Sequence, residues 1–288
     1  MCYTCSDKKG MTDIILYSLY ALSEAKGMDI IMANNLAAIE TYKLTKKFGN
    51  LTAVDNIDLT VKSGEIFGFL GPNGAGKTTT IKMLTGLLKP ASGTAKILGR
   101  DIQEDPVGAK SVIGLVLDEP RIYEKLTGIE FLRFMGNIFG IEKASIEKKI
   151  TELLKLFDLT DRGEELIQGY SHGMKQKIAI AGALIHSPKV LFFDEPTVGL
   201  DPKSARIIKD ILKFRAKSGD CIFISTHILE IAERMCDRIG IIQDGRLKAV
   251  GDMKELRKLS RDDEGNLEEI FLQLTGGDED IDIIKSLS

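Results

Sequence analysis

The chain has 288 residues, enough to bury a full core as one large domain or two lobes. Apolar residues make up 43% and charged residues 28%, the balance of an ordinary globular protein, and a formal net charge of −3 excludes a general electrostatic pull toward nucleic acid. No uninterrupted apolar run approaches the ~18 residues that span a bilayer, so the chain is not expected to cross a membrane by itself.

Residues 1–35 differ in character from the rest. Cys2 and Cys5 form a CxxC, but a structural zinc site wants four ligands, and the histidines (His172, His186 and His227) lie far downstream. An incidental pair is expected. Thr12–Leu22 reads as one apolar helix behind Lys8 and Lys9. Asp13 at its start and Ser18 within it argue against a secretory leader. Met11, Met28 and Met32 offer alternative starts, so a dispensable extension is expected, with a partner-docking helix as the alternative.

From Ile39 the pattern turns strand-rich. Ile39–Leu44 and the alternating run Ala53–Val61 suit a partly exposed antiparallel sheet. Phe48, before Gly49, suits stacking on a purine ring and equally a loop-anchoring aromatic in the core. Glu65–Leu70 reads as a buried strand and Thr79–Leu84 as a helix. Between them Gly71, Pro72, Asn73, Gly74, Ala75, Gly76, Lys77 and Thr78 match G-x-x-x-x-G-K-[ST]. Strand, Gly-rich loop and helix are the context in which that pattern is a phosphate site. Glycines let successive backbone N–H groups wrap an anion, and the helix N-terminus adds partial positive charge and unpaired donors. Lys77 is expected on the β- and γ-phosphates and the Thr78 hydroxyl on Mg²⁺, with Thr79 in the same turn.

Beyond the loop, Ala95–Leu98 and Ser111–Leu117 read as strands. A helical region follows over about residues 118–185. It holds Gly128–Phe139, with Thr127 as N-cap and Glu130 closing a capping box, then Ile146–Phe157, capped by Ser145. Ile150, Leu153, Leu154 and Phe157 share one face of the latter. A third helix covers about Gly173–His186, and Pro188 stops it from continuing. Val190–Phe193 is a continuous apolar run, as in a fully buried parallel strand, and ends in Asp194, Glu195 and Pro196. An acidic pair at a strand's carboxyl end lies where α/β sheets bind ligands. Asp201 and Pro202 cap a helix through Arg215. Cys221–Ser225 is another buried strand, ending in Thr226 and His227, and Cys221 and Cys236 read as core or near-core thiols. A helix to Met235 and a hairpin, Arg238–Val250, turning at Asp244 and Gly245, complete the core. Strands alternating with helices give a parallel sheet. The tail, 251–288, carries one helix, Leu267–Leu274, and an acidic run, Asp278–Asp280, expected to be a solvated end.

Three strand ends converge in this reading. The loop brings Lys77 and Thr78; the second brings Asp194, placed to hold Mg²⁺ through water, and Glu195, placed to polarise an attacking water; the third brings His227, placed to sense the γ-phosphate. The segment Tyr170–Ala181, YSHGMKQKIAIA, resembles the signature segment of ATP-binding cassette (ABC) ATPases, usually LSGGQ followed by a basic helix. With it, residues of about 37–275 resemble the ATP-binding subunit of an ABC transporter. The resemblance implies an α/β P-loop NTPase fold: a RecA-like parallel sheet core, an antiparallel β subdomain and an inserted α-helical subdomain. The ATPase domain would cover 36–250, followed by a C-terminal helix and acidic tail.

The same resemblance assigns roles by position. Phe48 matches the adenine-stacking aromatic, Gly71 through Thr78 the Walker A loop, Asp194 and Glu195 the Walker B aspartate and catalytic glutamate. Gly199, Leu200 and Asp201 match the D-loop, and His227 the switch histidine. Ser171 and Gly173 match signature residues that bind the γ-phosphate held by the other subunit. ATP and Mg²⁺ are implied, with two composite sites in a head-to-tail dimer that closes on ATP and opens after hydrolysis. The implied partners are a second copy or a paralogous subunit, and a separate transmembrane permease at the cytoplasmic face of the cell membrane.

Three positions depart from the family pattern, one of them Met174, which stands at the usual signature glutamine. Asp118 stands at the Q-loop glutamine; its carboxylate can reach Mg²⁺ or the water but cannot donate as an amide does. His172 replaces the first signature glycine, either adding a donor near the phosphates or crowding the loop. Leu117–Phe131 and Leu267–Gly276 are similar to subunits of prokaryotic exporters for drugs, antibiotics or lipids. Two alternatives stand beside an exporter ATPase: an ABC ATPase of assembly or repair without a membrane partner, and a slow-turnover nucleotide-gated clamp. One cassette rather than two, and no long heptad insertion, speak against the commoner kinds of the first.

Overall fold

The structure, a computed structural model, describes residues 36–196, 199–260 and 266–275. The N-terminal CxxC, the Thr12–Leu22 run and Asp278–Asp280 lie outside them. Three short runs, β3 (Ile66–Leu70), β7 (Val190–Asp194) and β8 (Cys221–Thr226), are buried at every position. With β6 (Ile113–Val116), β9 (Arg238–Gln243) and β10 (Arg246–Gly251) they form a six-stranded sheet in the order β10-β9-β3-β8-β7-β6. Its pairings are parallel except for the β9–β10 hairpin. Both faces are covered, which is why these strands show no apolar/polar alternation. On one face Phe67, Phe69 and Phe192 each pack against Phe223, with ring centroids 5.3–5.5 Å apart.

A second, antiparallel sheet has the order β2-β1-β4-β5, from β1 (Ala37–Phe48), β2 (Leu51–Lys62), β4 (Ser92–Ile97) and β5 (Arg100–Asp101). Here burial alternates: Val54, Ile57, Leu59 and Val61 of β2 turn into a core shared with Phe67, Phe192 and helix α1 (Lys77–Leu84). Helix α2 (Pro106–Ser111) corrects the reading of residues 111–117. Asp105 caps it, accepting the Gly108 N–H at 2.9 Å, and the expected strand shrinks to Ile113–Val116.

Helices α3 (Gly128–Ile138), α4 (Lys143–Leu156) and α5 (His172–Leu184) lie between β6 and β7. The capping box of α3 is formed on both sides: Thr127 Oγ1 accepts the Glu130 N–H at 3.1 Å, and Glu130 accepts the Thr127 N–H at 2.8 Å. Helix α4 begins earlier than expected. Ile146 N–H closes on Glu142 O at 3.0 Å, which puts Ser145 inside the first turn rather than at the cap. Lys143 and Ala144 are good helix formers, so nothing halts the helix at Ser145. Its apolar face, with Ile150, Leu153, Leu154 and Phe157, is buried as predicted. Helices α6 (Pro202–Lys217) and α7 (Leu229–Met235) flank β8 in sequence. Two tail helices follow, α8 (Met253–Ser260) and α9 (Leu267–Thr275); the first was not foreseen, although Asp252 and Glu255 form a reciprocal cap at its start.

Candidate active site

The carboxyl ends of β3, β6, β7 and β8 open on one cavity of about 400 Å³. Its first wall is the turn from β3 into α1. Gly76 has φ of +104°, and a Cβ there would lie 2.6 Å from Ala53 O, so this position admits only glycine. Helix α1 has no side-chain N-cap and no acidic residue in its first turn. Its first N–H groups therefore remain open to an anion rather than being satisfied by the chain itself. The β9–β10 turn braces the loop, with Gly245 N–H donating to Ala75 O at 3.1 Å. Asp244 and Gly245 both have positive φ, as a tight hairpin turn requires. Lys77 folds back along the loop, its Nζ donating to Gly71 O at 2.7 Å and Pro72 O at 3.1 Å. Burial pushes the Lys77 pKa down, and the Glu195 and Asp194 carboxylates oppose that.

The facing wall is acidic. Asp194 ends β7 in register with Ser225 of β8. Its Oδ2 accepts the Thr78 hydroxyl at 2.7 Å, and its Oδ1 accepts the Ser225 hydroxyl. Glu195 leaves the strand at φ of +52°, its N–H still held by Ser225 O at 3.0 Å. Its Oε1 accepts the His227 backbone N–H at 2.9 Å and faces His227 Nδ1 at 2.8 Å, while Oε2 accepts the Thr226 hydroxyl at 2.9 Å. Asp118, just beyond β6, lines the same cavity. Burial raises its pKa, and the Asp194, Glu195 and Glu119 charges add to that, with His172 opposing.

Asn73, Gly74, Gly76, Lys77, Thr78 and Thr79 thus face Asp118, Asp194, Glu195 and His227 across one space. Gly71, Pro72 and Ala75 supply loop backbone without lining it. Phe48 is not among the lining residues. It is 49% exposed at the end of β1, beneath the Lys46 ammonium at 5.1 Å, so the alternative of a core anchor is wrong. Ser171 and Gly173 also stand apart, at the start of α5, where Ser171 Oγ accepts the Met174 N–H at 3.3 Å. His172 is exposed and does not line the cavity; a Cβ on Gly199 would lie 2.6 Å from its ring. Sequence reasoning missed Ser225 and Thr226. Both were readable as hydroxyls in the last positions of an apolar strand; that Ser225 pairs with Asp194 is set by the sheet order alone.

A loop that wraps an anion, a lysine and a hydroxyl at a helix start, and a facing carboxylate pair define a P-loop nucleotide hydrolase site. A family model described as "ABC transporter" matches residues 54–198. The ABC transporter ATP-binding protein YhcH of Bacillus subtilis (strain 168), itself uncharacterized, is 41% identical over 219 residues, 75% of this chain and 70% of that protein. The daunorubicin/doxorubicin resistance ATP-binding protein DrrA of Streptomyces peucetius is 40% identical over 220 residues, 76% of this chain and 67% of that protein. A solved ATP-binding subunit of an ABC transporter superposes with a TM-score of 0.79 at 32% identity, covering 82% of this chain and 99% of its own. The chain belongs to the ABC transporter family. It is an ATP-binding, ATP-hydrolysing subunit of that family, whose ATPase subunits work as dimers with membrane subunits. Among the described residues no helix is long and apolar enough to cross a membrane.

Proposed function

We propose that this chain is the ATPase of an exporter, working at the cytoplasmic face of the cell membrane with a separate permease. The observation that carries the reading is the single cavity in which the phosphate loop faces Asp118, Asp194, Glu195 and His227. In it Lys77 and the loop backbone hold the β- and γ-phosphates of ATP. Thr78 and Asp194, already 2.7 Å apart, with Asp118 lining the same cavity, offer the hard oxygen donors that suit Mg²⁺. Among the described residues no three His, Cys, Asp or Glu side chains are grouped to hold a metal, so such an ion takes its remaining ligands from phosphate and water. When bound, it neutralises charge on the phosphates. Glu195 orients a water toward the γ-phosphorus and takes its proton as the bond to the bridging oxygen breaks, leaving ADP and phosphate. His227, whose Nδ1 lies 2.8 Å from Glu195 Oε1 and which lines the same cavity, contacts the γ-phosphate.

Phe48, exposed at the hairpin end, stacks on the adenine, and its place outside the phosphate cavity is compatible with a base lying farther out. Ser171 and Gly173, on the exposed start of α5, serve the γ-phosphate bound by a second copy or a paralogous subunit. The permease docks in a second, apolar groove of about 460 Å³, lined among others by Leu115, Leu117, Pro120, Tyr123, Phe131 and Phe139. Leu117 and Pro120 face this groove while Asp118, between them, faces the nucleotide cavity. One short segment therefore touches both sites, which supports coupling of hydrolysis to a membrane partner. The exporter assignment follows the drug-resistance name borne by DrrA.

The test is a pull-down of tagged Glu195→Gln protein from detergent-solubilised membranes with ATP, read by mass spectrometry. The substitution is expected to trap the closed dimer. A co-purifying multi-span protein supports the exporter reading. A chain that emerges alone, or with partners from the soluble fraction only, overturns it in favour of an ABC ATPase without a membrane partner.

A further inference from the structure

The hydroxyl of Thr226 closes β8 with both of its hydrogen-bonding roles fixed by geometry. It accepts the Ile228 N–H at 3.1 Å and stands 2.9 Å from Glu195 Oε2. A carboxylate has only lone pairs to offer, so the hydroxyl proton points at Oε2. The other oxygen, Oε1, is occupied on its side by the His227 N–H at 2.9 Å. Contacts at both oxygens fix the plane of the carboxylate. Such anchoring matters here because Glu195 leaves its strand in the left-handed region, at φ of +52°, where local backbone preference does not hold a glutamate. Thr226 is 2% exposed and is absent from the residues that line the nucleotide cavity.

We propose that Thr226 is a positioning residue for ATP hydrolysis: it sets the orientation of the Glu195 carboxylate without touching the nucleotide. This rests on the reading of Glu195 as the group that polarises the attacking water. A charge-assisted bond of this kind fixes the in-plane lone pair that must meet the water, and misplacement of a general base costs rate rather than binding.

The experiment compares the full chain with Thr226→Val, Thr226→Ser and Glu195→Gln, measuring kcat, KM for ATP and nucleotide affinity. Valine matches threonine in branching, which suits a buried strand end, and removes the hydroxyl in both its roles, as donor to Glu195 and as acceptor of the Ile228 N–H; serine restores both. Thr226→Val is expected to lower kcat by about tenfold or more while KM and affinity change less than about twofold. Thr226→Ser, which keeps the hydroxyl, is expected to recover kcat to within about threefold of the parent. In the Glu195→Gln background, Thr226→Val is expected to cost little further in single-turnover rate, because its effect runs through the carboxylate. A Thr226→Val kcat within about twofold of the parent overturns the proposal, as does an equal loss in both backgrounds or a matching fall in nucleotide affinity that serine does not reverse. Where valine prevents folding, Thr226→Ala against Thr226→Ser makes the same comparison. Full activity in Glu195→Gln instead overturns the reading of Glu195 itself, an outcome distinct from any result at Thr226.

Discussion

Lys77 shows how little of the site's chemistry depends on side-chain reach and how much on what the loop leaves open. Its ammonium bonds to Gly71 O and Pro72 O, carbonyls of its own loop. Burial favours the neutral amine, and the acidic wall opposite favours the ammonium. An arriving phosphate adds negative charge beside that ammonium, so Lys77→Ala removes a charge-assisted contact. Nucleotide affinity is expected to fall by about tenfold or more, measured by titration with a fluorescent ATP analogue. Unchanged affinity would contradict the phosphate-site assignment. Asp118 bears on the same balance. It adds a third carboxylate to the cavity and is pushed toward its neutral form by burial and by Asp194 and Glu195. A bound cation relieves that repulsion, which an amide at this position would never have created.

At the scale of elements, the helices divide by what happens at their first turns. Helices α3 and α6 are closed by side chains: the Thr127–Glu130 box and Asp201, which accepts the Ser204 N–H at 3.0 Å. Helix α1 is left open, with Gly76 before it and no acid in its first turn. A cap stabilises a helix by satisfying donors, and the same donors must stay free where an anion binds. Thr127→Ala is therefore expected to destabilise the fold by about 1 kcal/mol in urea denaturation with no change in ATP affinity, because the cap serves α3 alone. A loss of ATP affinity on the same scale would show that α3 and the nucleotide cavity are coupled in the resting chain.

Across the whole molecule, His186 ties α5 to β6 and to the end of α3. Its Nε2 lies 2.9 Å from Ile113 O, its ring stacks on Phe139 with centroids 3.6 Å apart, and its Nδ1 is buried without a partner. Burial, followed by the nearby Lys149 and Arg215 charges, lowers its pKa from 6.5 to about 4, against the opposing bond to Ile113. The folded chain thus favours neutral imidazole, and the unfolded chain takes up a proton first. This contribution is complete above pH 6.5 and is lost as pH falls through the window toward about 4. The loss amounts to about 2 kcal/mol between about pH 7.5 and about pH 5. Urea midpoints at those two pH values are expected to separate more for the parent than for His186→Phe, which keeps the stack and cannot titrate. Equal separation would mean that His186 protonates as readily in the fold as in the open chain.

Local chemistry determined much of this protein in advance. The runs Glu65–Leu70 and Val190–Phe193 announced buried strands, observed at Ile66–Leu70 and Val190–Asp194, because both sheet faces are covered, and Asp244-Gly245 announced a hairpin because two positive-φ residues are needed there. The phosphate loop was legible because its glycines and lysine are contiguous. Boundaries failed where neighbouring residues also tolerate helix, as at Ser145, and where caps went unread, as at Asp105-Pro106 and Asp252–Glu255. What the tertiary structure alone decided is which distant groups meet. Strand order β3-β8-β7 and the Asp194–Ser225 register bring Thr78, 116 residues away, to Asp194, and set Thr226 against Glu195. Likewise the segment around Asp118 has its two faces only because β6 lies beside β7 and the helical region supplies the rest of the groove that Leu117 and Pro120 line. Turns, caps and apolar periodicity are encoded in a few neighbouring residues. Pairing between strands is chosen by the packing of the whole core, and no local pattern carries that choice.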